Sequence, residues 1–357
     1  MIKWFLQLFR KHRGGLILED QDPRDFELGG APYEPKHVRT NNADKLFPVK
    51  NQEGQNTCVC ESGSGQKEPD EGTEIDPQDG AIELRKRKKM TSRGTSLSAW
   101  QKMLVDRGIA EKGFLPNNYN VSWSAFSNPK LQTKEINENA GKHKTLSYFK
   151  TGSINQIIRQ LDNGRTGQSG MMWYTGYTNL KYPYILTPFE GQADFGHAFQ
   201  VVDYDKDYLG KQVIKCRNSW GKEWGDNGYF YVRIPDFARI AYFTYFNTDL
   251  PKNVLKELTR WQNKAVLEIG GPKVYLIQGE EKRHIPDEAI MWMLNITPDK
   301  LVRDDNNVLP EVKEGQPVSI DEIPGERLEK VKYFVQMSKE KEFIKNRFSP
   351  YFPDLFN

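Results

Sequence analysis

Three short runs hold side chains that could carry out nucleophilic chemistry together. Gln52-Glu53-Gly54-Gln55-Asn56-Thr57-Cys58 places an amide six residues ahead of a thiol, Gly196-His197-Ala198-Phe199 supplies an imidazole, and Arg217-Asn218-Ser219-Trp220-Gly221 supplies an amide beside an indole. A neutral thiol attacks carbonyls poorly, because the thiolate is the nucleophile and an ordinary cysteine titrates at about 8.5. A helix N-terminus and a neighbouring imidazolium both favour the thiolate. An imidazole in reach would hold that thiolate as an ion pair, protonate a leaving amine and later activate water. A side-chain amide on its other ring nitrogen would fix tautomer and orientation without adding a charge. A further amide donor would stabilise an oxyanion, where losing one donor costs about 2.7 to 4 kcal/mol.

Together with Trp224-Gly225-Asp226-Asn227-Gly228-Tyr229, these runs resemble the active site of the papain-like cysteine peptidases, in particular bacterial or phage members. Cys58 precedes His197 by 197 − 58 = 139 residues and Asn218 lies 218 − 197 = 21 further on, a spacing that belongs to that family. The resemblance implies Cys58 as nucleophile, His197 as base and Asn218 as its orienting partner. The Gln52 side chain and the Cys58 backbone N–H would be the oxyanion donors. It implies an α+β, two-lobed fold, a helical lobe against an antiparallel β-barrel-like lobe, with peptide or protein substrates, no cofactor and no metal. Gly94 and Thr95 would bind substrate backbone, and Phe195, two residues before the histidine, would favour an apolar side chain in the second pocket. Trp220 would shield the Asn218–His197 hydrogen bond from water and so strengthen it; Trp224 would line the far side of the cleft. The same residues suit hydrolysis of a non-peptide amide or acyl transfer, and the fold also suits a non-catalytic binding or structural protein.

The other cysteines and histidines have simpler explanations. Two residues along a helix turn a side chain through about 200°, so Cys60 cannot share a cleft with Cys58. Cys216 ends the alternating run Val213-Ile214-Lys215-Cys216 and reads as a small core residue of a strand. A Cys-x-Cys metal site lacks further ligands at local spacing. His12, His37, His143 and His284 fall in no comparable motif. With three cysteines, and Gln55 at a position where secreted relatives often carry a disulfide cysteine, no disulfide framework is expected. That fits a reducing compartment, or a prokaryotic or phage origin, cytoplasmic or virion-associated. The start Met1-Ile2-Lys3-Trp4-Phe5-Leu6-Gln7-Leu8-Phe9 runs too soon into Arg10-Lys11-His12-Arg13 to read as a secretory signal, and no run is long enough to span a bilayer. A net charge of +3 implies no general attraction to nucleic acid or to a membrane.

The 357 residues suffice for one catalytic unit and something smaller. Residues 1–30 read as an extension without a long inhibitory prosegment, in which Trp4, Phe5, Leu8 and Phe9 form a short amphipathic helix packing on the body or, on a sharper reading that we do not prefer, a small plug or a weak membrane-surface contact. Residues 31–250 form the catalytic unit. Helices are expected from Asp76-Pro77 to Lys89, from Thr95 to near Gly108 and from Ser153 past Leu161, and strands at Met171–Trp173, Ala198–Tyr204, Lys211–Arg217 and Tyr229–Ile234. One segment departs from the family. Residues 61–80 hold seven acidic side chains and one aliphatic, Ile75, so the helix after Cys58 is expected to stop after about two turns and give way to an acidic loop. Arg85-Lys86-Arg87-Lys88-Lys89 would be a solvated helix end facing that loop. Residues 251–325 read as a small α+β accessory module, with residues 251–357 together as the part that would bind a surface polymer or protein. In it Pro251 to Ala265 is a helix, Val274 to Pro286 a hairpin, Asp287 a helix cap and Val308 to Val318 a return to the sheet. Residues 326–357 read as a helix and an aromatic tail.

Overall fold

The computed structural model describes residues 14–18, 25–29, 33–248, 250, 252–286 and 288–329. The chain divides into two units, residues 1–28 with 32–252 and residues 29–31 with 253–357. In the larger unit helices come first: α1 (Cys58–Glu71), α2 (Pro77–Lys86), α3 (Leu97–Asp106) and α4 (Lys134–Lys142). Each of the last three starts where the sequence supplies an acceptor for exposed helix N–H groups. Asp76 accepts from the N–H groups of Gln78 and Asp79 with Pro77 following, Ser96 accepts from Ala99, and Thr133 accepts from Ile136. α2 ends at Lys86, so Lys88 and Lys89 lie beyond the helix expected to contain them.

The expected short helix after Cys58 is corrected. α1 runs for 14 residues and ends at Gly72, whose φ of 67° only glycine adopts at little cost. It is buried from Cys58 through Glu68 although it is polar, because neighbouring elements satisfy its side chains. Gln66 Nε2 donates to the carbonyl of Tyr245 (2.8 Å), Gln168 Nε2 donates to the Val59 carbonyl (2.7 Å) and Ser62 Oγ (2.9 Å), and Gln101 Nε2 reaches both Gln66 and Gln168. Glu68 takes Lys50 at 2.6 Å and the Ile75 N–H at 3.0 Å. The glycines give close approach where side chains would collide: a Cβ on Gly63 would lie 2.1 Å from Trp100 Nε1, and one on Gly65 2.2 Å from Arg217 Nη2. Composition counts polar atoms; it does not count the partners that wait for them.

The second half of the unit is a six-stranded sheet in the order β1-β6-β2-β3-β4-β5, from β1 (Ser147–Thr151), β2 (Gly167–Tyr174), β3 (Ala193–Tyr208), β4 (Lys211–Arg217), β5 (Tyr229–Arg233) and β6 (Thr244–Thr248). Every pairing is antiparallel, yet β1 and β5 remain edges among the described strands, so the sheet is open where a barrel-like lobe was expected. Two helices, α5 (Ile154–Asp162) and α6 (Ile234–Ile240), accompany it. α1 packs on β3, bringing the Cys58 end of the helix to the His197 segment of the strand. Cys216 pairs opposite Phe230 and is buried in the core as expected.

The smaller unit begins with α7 (Lys252–Trp261) and holds a five-stranded sheet, β10-β7-β8-β9-β11. Its centre is the hairpin of β8 (Val274–Gln278) and β9 (Glu281–Ile285), with β7 (Ala265–Leu267) antiparallel to β8. β10 (Val302–Arg303) and β11 (Lys313–Glu314) pair parallel at the two edges, so only two residues of the 308–318 stretch return to the sheet. α8 (Glu288–Met293) covers one face through Ala289, Ile290 and Met293. The aromatics Trp4, Phe5, Leu8 and Phe9, the Asp287 cap and the tail from residue 330 lie outside the described residues.

Candidate active site

Cys58 is the first residue of α1 and is fully buried. Its sulfur accepts two backbone hydrogen bonds, from Ala198 N–H at 3.4 Å and from Gly15 N–H at 3.1 Å. The first brings the residue after His197 to the thiol. His197 pairs with Met171 across β2 and β3, and its Nε2 lies 2.7 Å from Asn218 Oδ1. Asn218 Oδ1 also accepts the Ser219 N–H at 2.7 Å, so the amide oxygen and not the amide nitrogen faces the imidazole. His197 Nε2 is then the donor of that pair, an assignment that rests on the hydrogen-bond pattern. Gln52 is tied to the same corner: its N–H donates to the Ser219 carbonyl at 2.9 Å and its Oε1 accepts Ser219 Oγ at 2.7 Å. That orientation leaves the two Nε2–H groups for other acceptors, and Gln55 O takes one at 2.7 Å.

Aromatic rings wall the imidazole. Trp173 and Trp220 each lie 4.8 Å from it, centroid to centroid, and Phe195 lies at 6.1 Å. Trp224 stands behind Trp220 at 5.3 Å and anchors its own Nε1–H on the Thr178 carbonyl. Trp173 went unassigned in the sequence because it lies in a different run from every matched motif; β2 carries it there by pairing with β3. Two cavities are lined by residues of these segments. A cavity of ≈ 470 Å³ is lined by Leu97, Ile157, Phe237, Tyr242 and Phe243 among others, and one of ≈ 630 Å³ by Asn51, Glu53, Lys181, Trp220, Glu223 and Trp224.

Residues 14–18 of the chain itself lie across the Cys58 sulfur. Thr95 N–H donates to the Gly15 carbonyl at 2.9 Å, Ile17 N–H donates to the Thr95 carbonyl at 2.8 Å, and Leu16 N–H donates to the Gly196 carbonyl at 3.1 Å. Thr95, expected to bind substrate backbone, is here a backbone partner of this segment, which runs parallel to it. Gly94 is required for the approach: its φ is 112°, and a Cβ there would lie 1.7 Å from Gly15 O. Gly14 and Gly15 have no room for side chains either, since a Cβ on Gly14 would meet Gly196 O and Phe195 Cδ2 at 2.2 Å and one on Gly15 would meet Asn56 O at 2.0 Å. The Leu16 side chain turns into the apolar cavity. Gly14 to Leu18 thus cover the thiol, while Trp4, Phe5, Leu8 and Phe9, the residues of the expected helix or plug, lie outside the described residues. The glycine pair was the available signal.

Burial decides the state of the thiol. It pushes Cys58 up to about 12, against the two N–H donors, so the covered sulfur is a neutral thiol despite its place at a helix N-terminus. Near it, Glu61 is pushed up to about 7 by burial, with Lys50, Tyr119 and Thr57 acting the other way. The described residues hold no cluster of three or more His, Cys, Asp or Glu side chains suited to a metal.

An antiparallel sheet packed on a helix that presents a cysteine to a sheet-borne histidine defines a papain-like fold. A model of the papain family cysteine proteases matches residues 85–240, a stretch that includes His197 and Asn218 and begins beyond Cys58. Among solved structures, xylellain, a cysteine protease from Xylella fastidiosa, superposes with a TM-score of 0.57 at 17% identity, covering 68% of this chain and 97% of its own. A procathepsin B from Trypanosoma congolense gives 0.54 at 15% identity, covering 68% and 88%, and digestive procathepsin L2 from Tenebrio molitor gives 0.50 at 14%, covering 69% and 87%. No curated protein matches the sequence significantly. The chain thus shares the fold of these cysteine proteases, and its residues 85–240 match the papain family model.

Proposed function

We propose that the chain hydrolyses peptide bonds with Cys58 as nucleophile, His197 as general acid and base, and Asn218 holding the imidazole. Gln52 Nε2 and the Cys58 N–H would receive the oxyanion, and residues 14–18 hold the enzyme latent. The observation that carries this is the convergence on one corner of a thiol, an imidazole with Asn218 Oδ1 at 2.7 Å, and an amide tied to Ser219. Latency follows from what faces the sulfur. It meets the N–H of Gly15, not a carbonyl carbon, while the Gly15 carbonyl is engaged by Thr95, so the occupant offers the nucleophile nothing to attack. Departure of the segment would expose Cys58, remove the burial that keeps its thiol neutral, and let His197 take the proton. Leu16 at the apolar cavity, with Leu97, Ile157 and Phe237, supports an aliphatic side chain as the preferred occupant of that subsite. The residues of the smaller unit would serve substrate delivery or attachment to a polymer or protein.

Labelling with a thiol-directed epoxide, with peptide mapping, tests the assignment on the full chain and on a chain starting at residue 25. Fast, pH-dependent modification of Cys58 in the shortened chain, with Cys60 and Cys216 spared, is the expected result. Equal slow labelling of all three cysteines in the shortened, folded chain would instead support a binding protein on this fold.

A further inference from the structure

Asn218 spends its oxygen on two donors, His197 Nε2 and Ser219 N–H, both at 2.7 Å. Its Nδ2 is buried and finds no acceptor among the described residues. Glu61, one turn into α1, has a matching surplus. Its Oε1 accepts Thr57 Oγ1 at 3.1 Å and Tyr119 OH at 2.8 Å, while Oε2 is buried without a donor among the described residues. Gln200 on β3 repeats the pattern: Nε2 donates to Gly65 O and Thr166 Oγ1 at 2.9 Å, and Oε1 is buried without a donor among the described residues. All three residues line one small internal cavity of ≈ 10 Å³, together with Lys50 and Arg217. A polar cavity of about that size holds a single water, which needs two to four partners.

We propose that Glu61 is a positioning residue for Asn218, acting through one buried water held in this cavity. The hydrogen-bond arithmetic closes: the water accepts from Asn218 Nδ2 and donates one proton to Glu61 Oε2 and the other to Gln200 Oε1. With both protons committed, only a lone pair faces Asn218. An Asn218 amide turned over would set Nδ2 against the His197 and Ser219 donors and Oδ1 against that lone pair. The Glu61 carboxylate therefore fixes which end of Asn218 meets the imidazole. Lys50, Arg217, Asp76, Tyr119, Cys58 and Cys60 are the titratable groups around it; burial raises the carboxyl to about 7 against Lys50 and Tyr119, so the carboxylate form that this arrangement needs prevails above that pH. Nothing in the matched motifs contains Glu61, which sits in the polar segment that departs from the family.

The inference rests on the proposed role of Asn218 and is tested separately from it. In Glu61→Gln, the oxygen stays with Thr57 and Tyr119, and the new amide nitrogen takes the lone pair of the water. Turnover of a fluorogenic peptide by the full chain should fall by roughly tenfold in kcat with KM unchanged, about the effect of weakening one orienting hydrogen bond. In an Asn218→Ala background the same change should cost nothing further, because the residue it positions is gone. Equal losses in both backgrounds, or no loss in the parent, would overturn the proposal. A crystal structure of the unsubstituted chain with ordered solvent resolved gives a readout independent of activity and of the variant's folding. A water within about 3 Å of Asn218 Nδ2, Glu61 Oε2 and Gln200 Oε1 is expected, and an empty or protein-filled cavity would refute it.

Discussion

Replacing Gly15 by alanine should switch the enzyme on. Four backbone hydrogen bonds hold residues 15–17 in the cleft, one to Cys58 Sγ, two to Thr95 and one to the Gly196 carbonyl. At about 1 kcal/mol net each they supply about 4 kcal/mol. Burying Leu16 adds about 2.5 kcal/mol. Ordering residues 14–18 costs about 1 kcal/mol per residue, leaving the covered state ahead by only about 1.5 kcal/mol, which is an open fraction of roughly 7%. A Cβ at Gly15 would lie 2.0 Å from Asn56 O, a backbone atom that cannot step aside as a side chain would. Overpacking of that kind costs about 1 to 3 kcal/mol, and the shift also lengthens the bond to sulfur. A total loss of about 3 kcal/mol inverts the balance and raises kcat/KM by roughly tenfold. The assay is turnover of a short fluorogenic peptide beside the rate of Cys58 alkylation at neutral pH; both should rise together. Gly141→Ala, where nothing lies within 4 Å of the added Cβ, is the control and should change neither. A folded Gly15→Ala enzyme with unaltered turnover and unaltered alkylation would refute the covered-state argument.

Cys58→Ala and His197→Ala should abolish turnover with little change in thermal stability, while Asn218→Ala should be milder because the imidazole loses orientation and not its chemistry. Retained activity in Cys58→Ala would remove the nucleophile assignment. Gly63→Ala should lower stability by about 1 to 3 kcal/mol in urea titration, since its Cβ would lie 2.1 Å from Trp100 Nε1; an unchanged midpoint would show that α1 and Trp100 can separate freely. At the far end of α1, burial alone would raise the Glu71 carboxyl, but hydrogen bonds from Lys67 and His143 outweigh it and hold the group below its usual range. A depressed carboxylate contributes stability above its unfolded value of about 4.3 and loses it as pH falls through the folded value. The melting temperature should therefore drop more steeply below about pH 4.3 in the parent than in Glu71→Gln, and parallel curves would exclude the linkage. A chelator should leave turnover unchanged; loss with chelator and recovery with zinc would defeat the thiol mechanism.

The candidate site could be picked out in the sequence because the chemistry proposed for it demands particular side chains, and hydrogen bonds now link Gln52 to Ser219, Asn218 to His197 and the residue after His197 to Cys58. The helices with explicit caps, at Asp76, Ser96 and Ser153, were legible for the same local reason. α1 was not. Hydrophobic periodicity reports burial only when burial is apolar, and Gln66, Gln101 and Gln168 bury one another across 35 to 102 residues of sequence, counted as 101 − 66 = 35 and 168 − 66 = 102. β1 and β6 escaped notice as a pair because their partnership spans the whole β half, Ser147 opposite Thr248. Residues 14–18 carry no periodic signal at all. Two adjacent glycines reveal a close approach only once Asn56, Phe195 and Gly196 are seen to crowd them.

The occupant of the cleft and the cleft are parts of one polypeptide. Occupancy is therefore governed by an effective concentration, on the order of millimolar for a short tether, and not by how much protein surrounds the molecule. Dilution will not wake this enzyme and accumulation will not silence it. A freely diffusing inhibitor must be titrated away, whereas here each molecule carries a single dose that never runs down. Control passes to events that act on the tether once, by cutting it or by capturing residues near Gly14, and a cut followed by release cannot be reversed by adding back more of the intact chain.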